Sequence, residues 1–405
     1  MDIAFQRKVD RVAGSLICRV LSLLNHFHRD TATPHSQKIL VLLLSEMGAL
    51  VLARPMFARL QEHYPEAELH ALVFRQNQEV LELIDVVPES NILTVRNDTF
   101  AHLLRDCLSA LRHARGIGID TVIDCELFSR ISSILSLLSG ADKRVGFHPH
   151  TQEGLYRGGF INRPVLYNPY QHIARQFITL AEAIDSFGAP RVKRPCADDR
   201  LNIAPLATDR EEVEAVMSRL TTDFPSVVGK PLVLIYPGGG LLPIRAWPLD
   251  NYRIVAAELV REGYAVGVIG LKEDKPLARE IQSHCGDPSC IDLTGYTRTV
   301  RELMLVFHFA SLLITNDGGP VHFASMTPIP SIVFYGPETP TLYGPLDDKS
   351  QIFYTNLSCS PCLTAYNHRN SPCDDNNVCL KTILPDAVMK KTRDILRERQ
   401  GDRLR

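Results

Sequence analysis

A chain of 405 residues has room for two domains of ordinary size, and its 45% hydrophobic and 22% charged residues are those of a globular protein. A net charge of −2 without a dense basic tract argues against a nucleic-acid partner. No apolar run reaches the roughly 18 residues a membrane span needs, and there is neither an internal repeat nor a low-complexity segment.

Residues 2–28 read as one amphipathic helix. Val9, Val12, Leu16, Ile17, Val20, Leu23, Leu24 and Phe27 recur at helical spacing, and Lys8, Arg11, Ser15, Arg19, Ser22 and His26 form the other, basic face. Arg19 interrupts the only candidate signal-peptide core, and no small-residue cleavage site follows. Two readings stand side by side: a helix lying on the anionic cytoplasmic leaflet, or one docked on its own protein or on a second subunit. With its polar linker it forms a first segment, 1–36.

The apolar run 38–44 is expected to be a buried strand, followed by the loop Ser45-Glu46-Met47-Gly48-Ala49 and a helix to about residue 64. Further strands are expected near 68–74, 91–95, 121–125 and 144–147, and helices over 99–112, 127–139 and 173–187, the alternation of a doubly wound parallel sheet. The first domain is therefore set at 37–190. Residues 188–205 are rich in Pro, Arg, Lys and Asp without periodicity and read as a linker. A second α/β domain, 206–405, follows: a helix over 209–221 and strands near 232–236, 265–270, 290–293, 312–315 and 331–335.

In that second domain the loops after the strands carry the chemistry, because parallel strands leave these loops at one edge of the sheet. Pro237-Gly238-Gly239-Gly240 offers backbone N–H groups to a phosphate, and Arg245, beside the only tryptophan, Trp247, adds a cation. The blander reading is a surface arginine next to a structural tryptophan. Lys272-Glu273-Asp274 follows a strand, and Asp274 or Glu273 can accept both hydroxyls of a ribose, or else serve only as a helix-dipole partner. At Asp317-Gly318-Gly319-Pro320-Val321-His322 a strand stops, glycines admit a ligand to the backbone, and Pro320 opens a helix whose first N–H groups suit an anion. His322 can donate to that anion, while Asp317 is expected to cap the turn or to hold His322 in one tautomer, leaving charge balance to a nearby cation.

Cys359, Cys362, Cys373 and Cys379, in an insertion over 356–381, have the spacing C-x2-C-x10-C-x5-C of a four-thiolate knuckle, closed and structural, for zinc first and iron second. Free thiols or disulfides are the alternative. The other six cysteines are scattered, as reduced buried thiols are.

The segment with Asp317, Gly319 and His322, then Tyr335, Gly336 and Pro337, resembles the signature of glycosyltransferase family 9, the bacterial heptosyltransferases; Glu338 stands where that family usually has Thr. Arg245-Ala246-Trp247-Pro248 and Asp292-Leu293-Thr294-Gly295 match further stretches, and the resemblance runs from about residue 38 to 345. It implies the GT-B fold, two Rossmann-like domains facing across a cleft, and an inverting glycosyltransferase. The implied substrates are a nucleotide-diphospho-sugar such as ADP-heptose and a lipid-linked acceptor such as a lipopolysaccharide core. It also implies that Arg245 meets the diphosphate, work otherwise done by a divalent metal, so that catalysis needs no cofactor. One departure matters: the family's Gly-Asp after the first strand, whose Asp is the expected general base, is here Gly48-Ala49. Glu46 is the first replacement and Glu126 the second, with Asp124 nearby. A non-catalytic sugar-nucleotide binder and a nucleotide-sugar epimerase of the same architecture are the alternatives.

Overall fold

The computed structural model describes residues 9–25, 36–44, 46–127, 129–148, 156–186, 191–193, 201, 203–240, 242–365, 370–374 and 376–403. The chain divides into two compact units, 1–201 and 202–405. The first holds β1 (Lys38–Leu42), β2 (Glu68–Phe74), β3 (Ile92–Val95), β4 (Thr121–Asp124), β5 (Lys143–Phe147) and β6 (Arg163–Val165) in the sheet order β3-β2-β1-β4-β5-β6. The second holds β7 (Leu232–Tyr236), β8 (Ala265–Gly270), β9 (Cys290–Thr294), β10 (Leu312–Asn316), β11 (Ser331–Tyr335) and β12 (Ser350–Tyr354) in the order β12-β11-β10-β7-β8-β9. All pairings are parallel. Counted from each unit's first strand the two orders are the same, so each sheet reverses direction between its first and fourth strands, β1/β4 and β7/β10. At such a reversal neighbouring loops part and leave a crevice.

Parallel strands covered by helices on both faces must be apolar throughout, and β7, β10 and β11 are buried at every residue. On one face of the second sheet Trp247 stacks on Phe334 at 4.4 Å between ring centres and meets Tyr252 edge-on at 5.0 Å. The helix Arg210–Asp223 begins where Asp209 and Glu212 form a reciprocal capping box. Two edge strands were not expected. β6 contains Pro164, which removes a ladder donor, and β12 is half-exposed, so neither carries an apolar run.

The N-terminal helix keeps its large apolar face away from the first unit. Its described part runs Ser15–Asn25 after a short π-turn over Asp10–Gly14, while 2–8 and 26–28 lie outside the described residues. It packs on the first unit through a narrow stripe of small residues rather than through its large apolar face. A Cβ on Gly14 would come within 3.0 Å of Arg130, Cys18 packs with Phe160 and Ile161, and Ser22 Oγ accepts from Tyr156 Oη (2.7 Å) and Gly159 N (2.8 Å). Val12, Leu16, Ile17, Val20, Leu23 and Leu24 consequently point outward, with Leu23 71% exposed, and Arg11 and Arg19 are exposed among them.

Candidate functional site

The reversal at β7/β10 brings together the glycine loop, Arg245 and the Asp317 turn. One side chain ties them. Asn316, fully buried at the end of β10, donates from Nδ2 to Gly238 O (2.9 Å) and Pro237 O (3.2 Å), and its Oδ1 accepts from Trp247 N (2.8 Å) and Tyr252 Oη (3.0 Å). Gly239 is required sterically, since a Cβ there would lie 2.7 Å from Pro243 Cα, whereas one on Gly238 would press on Asp274 Oδ1 at 2.9 Å. The sequence reading gave Asn316 no role. Its only local signal is an amide at a strand end just before the candidate acid.

Arg245 closes a 3-10 turn, Pro243–Arg245, and its Nη1 stands 3.6 Å from Asp317 Oδ2. Asp317 is 5% exposed and burial holds its carboxyl up at about 6, although the Arg245 charge pulls it down. It does not cap the following helix, Gly319–Ser325, which has Gly318 at its N-cap and no capping side chain. The expected cap is absent, and the carboxylate faces the Arg245 guanidinium instead. Glu338, where the related family has threonine, is 2% exposed. Burial first, then the Asp317 charge, pushes it well above the usual carboxylate range, and Arg245 opposes both. Two buried carboxyls therefore lean on one guanidinium. His322 lies buried on the first turns of the same helix.

This cluster gives stability a predicted pH dependence. The folded pKa of Asp317, about 6, lies above its ordinary 3.8, so the folded state binds more protons across that interval. The stability this contributes is complete below about pH 4 and is lost as pH rises through about 6. Asp124 is raised in the same direction, also to about 6. Asp317→Asn should therefore remove part of the fall in unfolding free energy over that window and leave the rest. Urea titrations at several pH values check this, and an unchanged pH slope in the variant would sink it.

Of the two acids after β8, Asp274 turns inward and Glu273 is exposed. Asp274 Oδ2 accepts from Leu271 N (2.9 Å), and the carboxylate lies against both Gly238 and Gly270. Gly295 N donates to Gly270 O (2.8 Å), so the turn that follows β9 borders the same place. Asp274 thus lies beside the glycine loop while bonding the backbone N–H that opens its own turn, an arrangement compatible with either expected role.

In the first unit the corresponding β1/β4 edge is held by Leu44. Its N–H donates to Glu126 Oε1 and its carbonyl accepts from Asn77 Nδ2, each at 2.7 Å. Glu46 occupies the N-cap of helix Met47–His63 in extended conformation and makes no capping bond with its side chain. Asp124 is fully buried against Arg157 and Ser132, so it belongs to the scaffold beneath the loop.

The four cysteines of the insertion share one neighbourhood. The Cys379 thiol is pushed up by burial, then by the charges of Cys362, Cys359 and Cys373. Among the described residues no three potential ligands are arranged to hold a metal ion as they stand. Thiolates are the ligand type that zinc and iron take in closed structural sites.

Residues 111–371, well over half of the chain, match the profile of "Glycosyltransferase family 9 (heptosyltransferase)". The chain is 23% identical over 323 residues to lipooligosaccharide heptosyltransferase 2 of Haemophilus ducreyi, spanning 78% of this chain and 88% of that protein. The structure of E. coli ADP-heptose lps heptosyltransferase II superposes with a TM-score of 0.69 at 20% identity, covering 90% of this chain and 100% of that one. The iron-containing dodecameric glycosyltransferase TibC from enterotoxigenic E. coli shares the fold at a TM-score of 0.52 and 14% identity, over 92% of this chain and 81% of that one. With the profile match extending across the Asp317 turn, Arg245 and the loops around them, the chain belongs to glycosyltransferase family 9, the heptosyltransferases, and has their two-domain α/β fold of the GT-B type.

Proposed function

We propose that this glycosyltransferase moves a heptosyl group from ADP-heptose to a lipopolysaccharide-core saccharide with inversion at the anomeric carbon. The observation that carries the reading is the Arg245–Asp317 pair beside the glycine loop at the β7/β10 reversal. The acceptor oxygen bonds to the anomeric carbon as that carbon's bond to the diphosphate oxygen breaks. The hydroxyl proton passes to a carboxylate, Glu46 in first place, and the electron pair leaves on the diphosphate, where Arg245 and the loop N–H groups balance the charge. Asp274 takes the ribose, and His322 donates to a phosphate oxygen. Labelled ADP-heptose and UDP-sugars, each with a truncated lipopolysaccharide acceptor, test this. Acceptor-dependent transfer from ADP-heptose is expected; transfer from UDP-sugars alone would overturn the donor assignment. Ala49 favours a second reading, a binder of sugar nucleotides that transfers nothing, for which ADP-heptose would bind without turnover.

The cysteines supply a structural metal site: Cys359, Cys362, Cys373 and Cys379 together hold about one zinc or iron ion per chain. TibC, which shares the fold, is iron-containing. Metal analysis of protein purified under reducing conditions is expected to find that ion in the wild type and to lose it in Cys362→Ser/Cys373→Ser. A metal-free wild type would end the idea.

The outward face of the N-terminal helix, apolar with Arg11 and Arg19 exposed, suits an anionic membrane surface, where a lipid-linked acceptor resides. No helix among the described residues is long and apolar enough to cross a membrane. The proposed location is therefore cytoplasmic and peripheral, at the inner face of the cytoplasmic membrane. Co-sedimentation with phosphatidylglycerol-containing vesicles should be strong for the wild type and largely lost in Leu16→Glu/Leu23→Glu. A wild type that ignores vesicles but dissociates into monomers on that substitution would assign the face to a second copy instead.

A further inference from the structure

The cysteine insertion is attached to the donor loops by contacts that bear on Arg245 and Glu338. Asn377 Nδ2 donates to Ile244 O at 2.8 Å, one residue before Arg245. On the other side Cys362 N and Leu363 N both donate to Pro337 O, at 2.9 and 2.8 Å, one residue before Glu338, and Ser360 Oγ donates to Gly336 O. Cys379 completes the attachment: a Cβ on Gly336 would come within 2.8 Å of its sulfur. Asn377 itself has a positive φ of 26°, and its carbonyl accepts from Leu380 N and Lys381 N, both at 3.0 Å, to start the short helix Val378–Lys381. Asn377, two residues before Cys379, thus sends its amide across to the arginine's turn.

We infer that this insertion is a strut for the donor site, in which Asn377 is the positioning residue for Arg245, so that nucleotide binding and metal binding at the four thiols are coupled. The metal half rests on the reading of the thiols given above; the positioning half does not. A metal that draws the four sulfurs together fixes Cys379, and with it the nearby Asn377 amide and the Gly336 contact. The Arg245 guanidinium then stands where the diphosphate arrives. Coupling of this kind is reciprocal: the factor by which metal tightens ADP is the factor by which ADP tightens metal.

Asn377→Gly separates the side chain from its backbone, because glycine adopts positive φ without strain. Losing one hydrogen bond at this position should weaken ADP binding, measured by calorimetry, about 3- to 10-fold. The donor KM should rise and the acceptor KM stay unchanged, a split that general loosening of the fold would not produce. Asn377→Asp, which sets a carboxylate against the Ile244 carbonyl, should weaken ADP at least as much. In the wild type, ADP should slow loss of the metal to a chelator. Unchanged ADP affinity in Asn377→Gly overturns the strut, and metal loss indifferent to ADP in a metal-bearing wild type overturns the coupling. If the wild type carries no metal while Asn377→Gly still binds ADP weakly, the metal reading fails and the positioning role stands.

Discussion

Arg245→Ala is expected to slow transfer roughly 100- to 1,000-fold, the usual consequence of removing a preorganised group aimed at developing charge. The guanidinium is 13% exposed and already faces Asp317, with Glu338 close enough to feel both. The site's only side-chain cation among these groups is therefore held in place before any ligand arrives. In the variant the departing diphosphate would lose this cation while the Asp317 carboxylate stayed beside it, so ADP affinity should fall as well. Arg245→Lys should recover part of both losses. A point charge restores the sign but cannot bridge two phosphate oxygens as a planar fork does. Single-turnover rates and ADP titrations provide the check, and an alanine variant with wild-type values in both would remove Arg245 from the site.

Glu46→Gln carries the other large effect, a loss of roughly 100- to 10,000-fold in transfer with nucleotide affinity nearly unchanged, as for removal of a general base. Glu46 stands at the head of the helix Met47–His63, three residues before Ala49, and its carboxylate is not engaged in capping that helix. Ala49→Asp in the Glu46→Gln background should restore part of the rate if a carboxylate at that turn is what the reaction needs. Glu126 is the competing candidate, yet its Oε1 accepts from Leu44 N and so helps to hold the loop. Should Glu126→Gln stop transfer while Glu46→Gln does not, the proton goes to the end of β4. Transfer seen only after Ala49→Asp would instead mark the natural chain as a binder.

The ten expected strands could be read because each is an apolar run closed by turn residues, and burial on both faces of a parallel sheet demands such runs. β6 and β12 escaped because β6 is only three residues with a proline at its centre and β12 is partly exposed throughout, so neither shows a buried run. The charged part of the site was legible for a different reason: Asp317, His322 and Arg245 occur in patterns with a local physical meaning, glycines before a helix and a cation beside a loop. What was not legible acts at a distance. Asn316 reaches Gly238 across 78 residues and Asn377 reaches Ile244 across 133, and nothing near either amide in sequence announces its partner. On the N-terminal helix, periodicity identified the larger apolar face but not the side that meets the first unit, where the small stripe Gly14, Cys18 and Ser22 permits the closer approach.

The position of the chain's single tryptophan gives the enzyme a built-in optical probe. Trp247 is two residues from Arg245, stacked on Phe334, its ring N–H bonded to Ile383 O at 3.0 Å and its backbone N–H to Asn316. An indole so enclosed emits in the blue, and its emission belongs to the turn that carries the site's cation. Displacement of that turn by a nucleotide, or its release when the strands part, changes the same unlabelled signal. Ligand binding and unfolding can thus be followed in one cuvette, with no competing indole elsewhere in the 405 residues.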